Sequence, residues 1–286
     1  MTTLYFTTPA GNRLAYSAFG PVDGRPVLFF HGGGQTRHAW GRAGRVMGEQ
    51  GWRAWVVDLR GHGDSDWVPG HYQTEDFAAD ALAIIAAQRQ KPVIVGASMG
   101  GITALQANAA GEVSTALVLV DITPRANPDG VARILGFMSA HTEGFASLDE
   151  AAAAVAAYQP QRGQRTDTSG LKKNLRLHDN GRWYWHWDPS MLQGFLERRQ
   201  ELDDAQHQAE DHARTERLYT AAERLTQPVL LVRGSHSDVV SLENIAEFKQ
   251  RIPHAQVVDV RGAGHMVAGD RNDIFMDAVL EFLGKV

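Results

Sequence analysis

The feature that most constrains the fold of this chain is a series of short, continuous apolar runs separated by stretches with helical periodicity. Runs rich in Val, Leu and Ile, without polar alternation, are typical of strands buried on both faces of a parallel sheet. Six such strands are predicted, at Pro26–Phe30, Arg53–Asp58, Pro92–Gly96, Ala116–Asp121, Pro228–Arg233 and Gln256–Val260. Two earlier segments, Leu4–Thr8 and Asn12–Ala18, predict an antiparallel hairpin at one edge. The predicted sheet therefore has eight strands and is mostly parallel.

Helical patterns fill the intervals between these strands. Asp76–Gln88 places Phe77, Ala81 and Ile84 on one stripe, and Ile274–Leu283 repeats the pattern late in the sequence. Strands that alternate with helices indicate an α/β fold, in which helices cover both faces of a doubly wound sheet.

The alternation stops between Arg125 and Arg224. The stretches Glu150–Ala157 and Leu196–Ala213 are Ala-rich or charged and read as helices, and no run there resembles a buried parallel strand. We therefore expect a mostly helical cap, residues 125–224, inserted between two parts of a core domain, residues 1–124 and 225–286.

An aromatic hairpin is predicted inside the cap. Asn180-Gly181 is a strong signal for a type I′ turn, and Trp183, Trp185 and Trp187 fall on one face of the strand that follows. The three indoles either pack the cap onto the sheet or form an aromatic wall over the active site that binds an apolar acyl or alcohol group. On the second interpretation, Trp185 and Trp187 contact the substrate.

Composition excludes several classes of function. The 286 residues include no cysteine, which rules out disulfides, thiolate catalysis and Cys-ligated metals. A formal net charge of −5 gives no basic surface for nucleic acid. No motif for a metal or a nucleotide cofactor is found, so we expect neither. The N-terminal segment lacks the features of a signal peptide and no apolar run could span a bilayer, so we expect a cytoplasmic protein, either a monomer or a homodimer.

A nucleophile motif follows the third of the six predicted parallel strands. Gly96-Ala97-Ser98-Met99-Gly100 matches G-x-S-x-G, and a helix-compatible run, Ile102–Ala110, comes after it. A strand, a tight turn of small residues and a helix are what a nucleophile elbow requires. Gly101 would let that helix pack close to the sheet. The alternative is a Gly/Ser turn before an ordinary helix.

Four motifs together resemble the α/β-hydrolase superfamily, in its esterase, haloperoxidase and epoxide-hydrolase-like branch. They are His31-Gly32-Gly33-Gly34, the segment Asp58–Ser65, the elbow at Ser98, and Gly264-His265. The resemblance covers about Leu4–Thr123 and Gln227–Leu283, while the cap matches poorly. Epoxide hydrolases and haloalkane dehalogenases of this branch carry Asp at the elbow, so Ser98 argues against both chemistries.

The resemblance implies a catalytic triad in the chain order Ser, acid, His. His265, in a glycine-containing loop after the last strand, takes the position of the base that activates Ser98. Asp238, just after the strand Pro228–Arg233, takes the position of the acid that orients this histidine. Asp121 is the alternative, because a minority of these enzymes carry the acid at the end of the strand after the elbow.

An oxyanion hole and part of a substrate pocket also follow from the resemblance. The N–H groups of Met99 and Gly33 are expected to bind the oxyanion. Gly34 is the alternative to Gly33 as the donor from this loop. If Gly33 is the donor, Gly34 is expected to contact the substrate. Further along the same loop, His38 and Trp40 are candidates for the pocket entrance. Asp58 and His62 are expected to hold the loop beside the active site in place, and a direct contact with the substrate is the alternative.

These observations predict a cofactor-independent serine hydrolase. Its expected reaction is cleavage of a small, partly apolar carboxylic ester or lactone through an acyl-serine intermediate. Two other reactions use the same triad, namely C–C bond hydrolysis and cofactor-free haloperoxidase or perhydrolase chemistry. A non-catalytic ligand receptor with the hydrolase fold is the alternative from another class.

Overall fold

The computed structural model describes residues 1–159, 167–193, 196, 203–265 and 272–285. In these residues, eight strands form one sheet in the order β1-β2-β4-β3-β5-β6-β9-β10. The strands are β1 Leu4–Thr7, β2 Arg13–Phe19, β3 Pro26–Phe30, β4 Arg53–Val57, β5 Val93–Ala97, β6 Ala116–Val120, β9 Val229–Gly234 and β10 Gln256–Val260. Only the pairs β1–β2 and β2–β4 are antiparallel. The predicted eight-stranded, mostly parallel sheet is thus confirmed.

Helices cover both faces of this sheet. The α-helices in the described residues are α1 Gly41–Glu49, α2 Thr74–Ala86, α3 Met99–Ala109, α4 Pro128–Ser139, α5 Leu148–Tyr158, α6 Asp204–Glu223, α7 Leu242–Arg251 and α8 Asn272–Leu283. One apolar core joins the sheet to α2, α3, α6 and α7, and a second joins its other face to α1 and α8. Every residue of β3, β6 and β9 is buried, because these strands are enclosed on both sides.

The strand order brings five loops to one edge of the sheet. β5 lies between β3 and β6, and β9 follows β6, all in parallel register. The segments after their carboxyl ends therefore meet, together with the segment after β10. In open α/β sheets this is where ligands bind. Four of the five segments carry the predicted functional residues, and the fifth, after β6, begins with Asp121.

The segment between β6 and β9 adds no strand to the main sheet in its described part. It contains α4, α5 and α6, a 3₁₀ turn at Ser169–Lys173, and a separate two-stranded sheet of β7 Leu175–Leu177 and β8 Trp183–Trp185. The predicted helix Glu150–Ala157 falls within α5. Of the predicted helix Leu196–Ala213, residues 197–202 lie outside the described residues. Residues 204–213 of that prediction belong to α6, which begins at Asp204. That residues 125–224 fold as a distinct cap stays a prediction.

The hairpin β7–β8 forms as predicted, but its turn differs from the predicted type I′. Gly181 has a φ of 77°, and Asn180 is not among the residues with positive φ, whereas a type I′ turn needs positive φ at both central positions. The Gly181 N–H donates to His178 O at 2.9 Å, and the His178 N–H donates to Arg182 O at 3.0 Å. The connection is therefore a three-residue loop, in which a turn is followed by a glycine in the left-handed region.

Candidate active site

Ser98 stands in a strained turn between β5 and α3. Its φ of 47° and ψ of −117° lie outside the regions that non-glycine residues favour. Small neighbours make this turn possible. A Cβ atom on Gly96 would lie 2.4 Å from Gly100 O, and one on Gly101 would lie 2.3 Å from Ile122 Cγ2. The strand, turn and helix predicted from the sequence are present, and the close packing expected at Gly101 is confirmed.

The histidine after β10 pairs with the aspartate after β6. His265 Nδ1 lies 2.7 Å from Asp121 Oδ2, and the Asp121 side chain is fully buried. An ionised carboxylate only accepts hydrogen bonds, so Nδ1 carries the proton and donates it. In the neutral form of the ring, this tautomer leaves the Nε2 lone pair available to accept a proton.

Two more donors fix the Asp121 carboxylate. The Gly234 N–H donates to Oδ1 at 2.9 Å, and the Ser237 hydroxyl donates to Oδ2 at 2.5 Å. The Ser237 oxygen itself accepts from the N–H groups of Val239 at 3.1 Å and Val240 at 3.0 Å. Because those two bonds use its lone pairs, the hydroxyl proton is directed to Asp121. Sequence reasoning missed Ser237, since a serine in a loop after a strand gives no signal of this contact.

Asp238, the residue chosen from the sequence as the acid, does not contact His265. Its Oδ2 atom lies 2.9 Å from Arg133 Nη2 on α4, and 31% of its side chain is exposed. Ser237 occupies the inward position of this loop, so the next side chain turns toward α4. Gly130 allows α4 to come close, because a Cβ there would lie 2.2 Å from Asp238 O. The structure thus corrects the sequence-based choice and supports the alternative, Asp121.

The loop after β3 lies against the nucleophile. A Cβ atom placed on Gly32 would lie 3.4 Å from Ser98 Cβ. The Gly34 N–H donates to His62 Nε2 at 3.1 Å, so it is already engaged. Within the described part of the chain, the N–H groups of Gly33 and Met99 have no hydrogen-bond partner. Of the two alternatives for the loop donor, the geometry favours Gly33 over Gly34.

Two buried histidines hold this loop and the adjacent one. His31 Nδ1 donates to Gly32 O at 2.8 Å, and its Nε2 accepts from the Leu59 N–H at 3.0 Å. His62 Nδ1 donates to Arg60 O at 3.0 Å. Burial lowers the pKa of His31 to about 4 and that of His62 to about 3, so both rings are neutral near pH 7.

Asp58 anchors the neighbouring loop, as expected from its motif. Its carboxylate is fully buried and pairs with the Arg37 guanidinium. It also accepts a hydrogen bond from the Asp64 N–H at 2.9 Å. Arg37 lies in the 3₁₀ turn Arg37–Trp40, which follows the glycine loop after β3, so this ion pair joins the two loops.

A cavity of about 1620 Å³ opens at this edge of the sheet. Its lining includes nearly all the predicted site residues: Gly33, Gly34, His38, Trp40, Ser98, Met99, Trp185, Trp187 and His265. Asp238 is not among the lining residues. Residues 125–224 contribute both apolar and polar side chains to this lining. The apolar ones include Val131, Ile134, Leu135, Phe137, Met138 and Leu192, and the polar ones include Lys173, Asp211, Arg214 and Arg217. Helix α4 therefore gives the cavity an apolar wall, part of which lies beside Gly34.

The two entrance candidates differ in their surroundings. Trp40 borders the cavity but its indole is buried, with its centroid 5.3 Å from that of Phe29 and 5.5 Å from that of Phe275. Most of its surface therefore packs in the core. His38 is half-buried, and desolvation together with the charge of Arg37 lowers the pKa of its imidazole.

The three tryptophans of the hairpin also differ from one another. Trp187 is 5% exposed and packs with Met138 and Leu192 beside the cavity. Trp185 lines the cavity and makes edge contacts with Phe137 and Phe145. Trp183 packs in another cluster with Phe145 and is not among the cavity residues. Only Trp185 and Trp187 are thus placed to meet a substrate.

Neither a membrane-spanning helix nor a metal-binding cluster is found among the described residues. No helix there combines the length and hydropathy that crossing a membrane requires. No group of three or more His, Asp or Glu side chains there is arranged to hold a metal ion.

Comparisons with known proteins agree with this architecture. The α/β-hydrolase fold family matches residues 25–271. The chain is 30% identical over 262 residues to the esterase Rv0045c of Mycobacterium tuberculosis, covering 88% of this chain and 80% of that protein. It is 28% identical over 271 residues to a 3-hydroxybutyrate-oligomer hydrolase of Cupriavidus necator, covering 90% and 89%. An α/β hydrolase structure from Novosphingobium aromaticivorans has a TM-score of 0.81 at 24% identity, covering 100% of this chain and 98% of that one. The chain belongs to the α/β-hydrolase fold family.

Proposed function

We propose that this protein is a serine esterase, which hydrolyses a carboxylic ester through an acyl-serine intermediate. The observation that carries this proposal is the hydrogen bond between the buried Asp121 and His265, which lines the same cavity as Ser98. A neutral imidazole oriented by a carboxylate is the base that a serine hydroxyl needs. The names of the two relatives, an esterase and a hydrolase of hydroxybutyrate oligomers, support an ester as the substrate.

The proposed first half-reaction forms the acyl-enzyme. Ser98 Oγ attacks the ester carbonyl while His265 Nε2 takes the hydroxyl proton, and Asp121 stabilises the imidazolium that results. The Gly33 and Met99 N–H groups donate to the oxygen that becomes negative. The tetrahedral intermediate then collapses, the C–O bond to the alcohol breaks, and His265 gives its proton to the departing alkoxide.

The second half-reaction returns the free enzyme. A water molecule loses a proton to His265 Nε2 and attacks the acyl carbonyl, and the same two N–H groups bind the oxyanion. Collapse breaks the bond to Ser98 Oγ, which takes the proton back from His265, and the carboxylic acid leaves. Each proton that His265 takes up is returned within the same half-reaction, so the scheme needs no other acid or base. It includes no cofactor.

The surroundings of the site favour a partly apolar substrate. Met138 and Trp187 on the cap side lie near the oxyanion loop, as shown by the 3.3 Å between Met138 Cε and a Cβ placed on Gly34. An acyl or alcohol chain would bury its apolar surface there, at roughly 25 cal/mol for each Å² removed from water. Esters and lactones of short hydroxy acids also belong in the test panel, given the hydroxybutyrate-oligomer relative.

The proposal is tested by a substrate panel with Ser98→Ala as the matched inactive variant. The panel contains p-nitrophenyl esters, lactones, 3-hydroxybutyrate dimers and vinylogous diketones, with peracid formation and halogenation assayed separately. We expect ester or lactone turnover that Ser98→Ala loses. Turnover of diketones alone, or halogenation alone, would assign one of the other reactions of this triad. Stoichiometric binding without any turnover would indicate a receptor.

A further inference from the structure

The loop of residues 59–66 lies between the oxyanion loop and the cap. On one side, His62 Nε2 accepts the Gly34 N–H. On the other side, the Gly63 N–H donates to His186 O at 2.8 Å and the Asp188 N–H donates to Gly61 O at 2.7 Å. These two bonds form an antiparallel bridge that sets His62 opposite Trp187. His62 thus contacts the oxyanion loop through its side chain, while the backbones of its two neighbours, Gly61 and Gly63, are bonded to the cap.

The His62 ring is held in a single orientation. It is completely buried, its Nδ1 donates to Arg60 O, and its edge packs against His31 with centroids 5.0 Å apart. Because Nδ1 carries the proton, Nε2 is an acceptor only, and the Gly34 N–H is its partner. The mechanism described above assigns no role to this contact.

The cap also lies close to the same glycine. A Cβ atom placed on Gly34 would lie 3.3 Å from Met138 Cε on α4, and Met138 packs with Trp187 in one apolar cluster. Gly34 has a φ of 73° and stands in a run of three glycines, which have little conformational preference of their own. His31 holds Gly32 in this loop, and the position of Gly34 depends on other neighbours, among them His62 and Met138.

We propose that His62 is a positioning residue of the oxyanion hole, which holds Gly34 so that the adjacent Gly33 N–H faces the developing oxyanion. The bridge to Trp187 joins this hydrogen bond to the wall of the substrate cavity. This inference rests on the proposed esterase function and adds a residue to it. His62 touches no substrate atom in this role.

The size of the expected effect follows from what an oxyanion donor contributes. Removing one such donor lowers kcat by about 10²–10³-fold in a well-studied protease. A misplaced donor is still present, so we expect a loss of roughly 10–10²-fold in kcat when the Gly34 acceptor is removed, with KM little changed.

The test compares esters with thionoesters of the same structure. Sulfur accepts hydrogen bonds poorly, so the ratio of kcat/KM for the ester to that for the thionoester reports how well the hole binds the oxyanion. His62→Phe keeps a ring but has no acceptor, His62→Leu removes both, and His62→Gln offers an amide oxygen in place of the ring nitrogen. Ser65→Ala is the control, because Ser65 makes buried hydrogen bonds to Ala15 N and Asp58 O in the same loop without contacting Gly34.

We expect the ester-to-thionoester ratio to fall at least tenfold in His62→Phe and His62→Leu, to recover in part in His62→Gln, and to stay at the wild-type value in Ser65→Ala. Circular dichroism selects the folded variants, and either acceptor-free variant suffices for the comparison. A wild-type ratio in a folded His62→Phe or His62→Leu protein would overturn the inference. Failure of the wild type to hydrolyse any ester would instead count against the proposed function.

Discussion

His265 Nδ1 donates to Asp121 Oδ2 across 2.7 Å, and the accepting carboxylate is closed off from solvent. Asp121 adopts a φ of 50°, which turns its side chain from the end of β6 toward the loops after β9 and β10. Aspartate tolerates this left-handed conformation better than most residues. The two residues are 144 positions apart in the sequence, so this contact depends on the completed sheet.

Asp121→Asn is expected to lower kcat by about 10⁴-fold, as the same change does at the acid of a serine protease. The amide removes the charge that stabilises the imidazolium and presents an N–H group to His265 Nδ1, which favours the wrong tautomer. Asp238→Asn keeps its size and loses a partly exposed ion pair with Arg133, which is worth about 0–1 kcal/mol of stability. Its kcat should stay within a few-fold of wild type. Steady-state kinetics on both variants show which aspartate is the acid. A larger loss of kcat in Asp238→Asn than in Asp121→Asn would assign that role to Asp238.

Ser98→Ala is expected to reduce kcat by at least about 10³-fold while the protein stays folded, since the change removes the nucleophile and little packing. A fluorophosphonate probe should label the wild type and fail to label the variant. Ser65→Ala serves as the control and should still be labelled. More than a tenth of wild-type activity in the folded Ser98→Ala protein would contradict the assignment.

Ser237→Ala is expected to lower kcat by about tenfold with KM unchanged, because a hydrogen bond to a charged group contributes about 1.5–3 kcal/mol. The lost donor frees one side of the Asp121 carboxylate and loosens the geometry that orients His265. Ser237→Thr retains the hydroxyl and should recover most of the rate. If Ser237→Ala alters the melting temperature alone, the hydroxyl only stabilises the loop.

Acid should destabilise the fold through His31 and His62. Burial lowers the pKa of these residues from 6.5 to about 4 and about 3. Below pH 6.5 the unfolded chain therefore binds protons that the native state does not, and stability falls as the pH falls. At pH 4 the loss reaches roughly 3 kcal/mol for each histidine, at 1.36 kcal/mol per pKa unit.

Urea unfolding between pH 7 and pH 4 measures this dependence. His62→Gln cannot titrate there and should show a shallower fall in unfolding free energy than the wild type. The exposed His254, replaced in the same way, should leave the slope unchanged. Equal slopes in the wild type and His62→Gln would mean that His62 is not the neutral buried group inferred from its contacts.

The parts of the site that the sequence predicted correctly are those set by local pattern. A buried strand followed by small residues around Ser98 predicts the elbow, because only glycines fit where Gly96 and Gly101 approach their neighbours. Likewise, Asn180-Gly181 between apolar segments predicts a hairpin. The exact turn was missed, because the sequence allows either a two-residue or a three-residue loop at this point.

The choice between two aspartates could not be made in the same way. Asp121 and Asp238 both follow strands that finish at the same edge of the sheet. The loop that carries His265 also starts at this edge, so the topology places both aspartates near it. What separates them is the direction of each side chain. Ser237 fills the inward position by donating to Asp121, and Asp238 turns to Arg133 on α4. That second contact depends on how α4 packs on the core, which no local pattern of residues specifies.

The three tryptophans of the hairpin have two interpretations from the sequence, as packing between cap and sheet or as a wall that contacts the substrate. Trp183→Ala should destabilise the protein without changing selectivity, because its ring packs against Phe145 away from the cavity. Trp187→Ala should do both, since its buried indole supports Met138 and borders the cavity. Replacing a buried tryptophan by alanine costs roughly 3–5 kcal/mol of stability, because it leaves an unfilled space in the core. Trp185→Ala should change the preference for acyl length with a smaller loss of stability, because its ring is only partly buried.

Thermal melts and kcat/KM for p-nitrophenyl esters of C2 to C8 acids, measured on all three variants, separate these outcomes. A substrate wall requires that at least one of Trp185→Ala and Trp187→Ala moves the optimum chain length, while Trp183→Ala keeps the wild-type profile. Three destabilised variants with an unchanged profile would leave only the packing interpretation. A shift in Trp183→Ala as large as in the other two would show that selectivity responds to loosening of the cap as a whole, and would remove the argument for direct contact between indole and substrate.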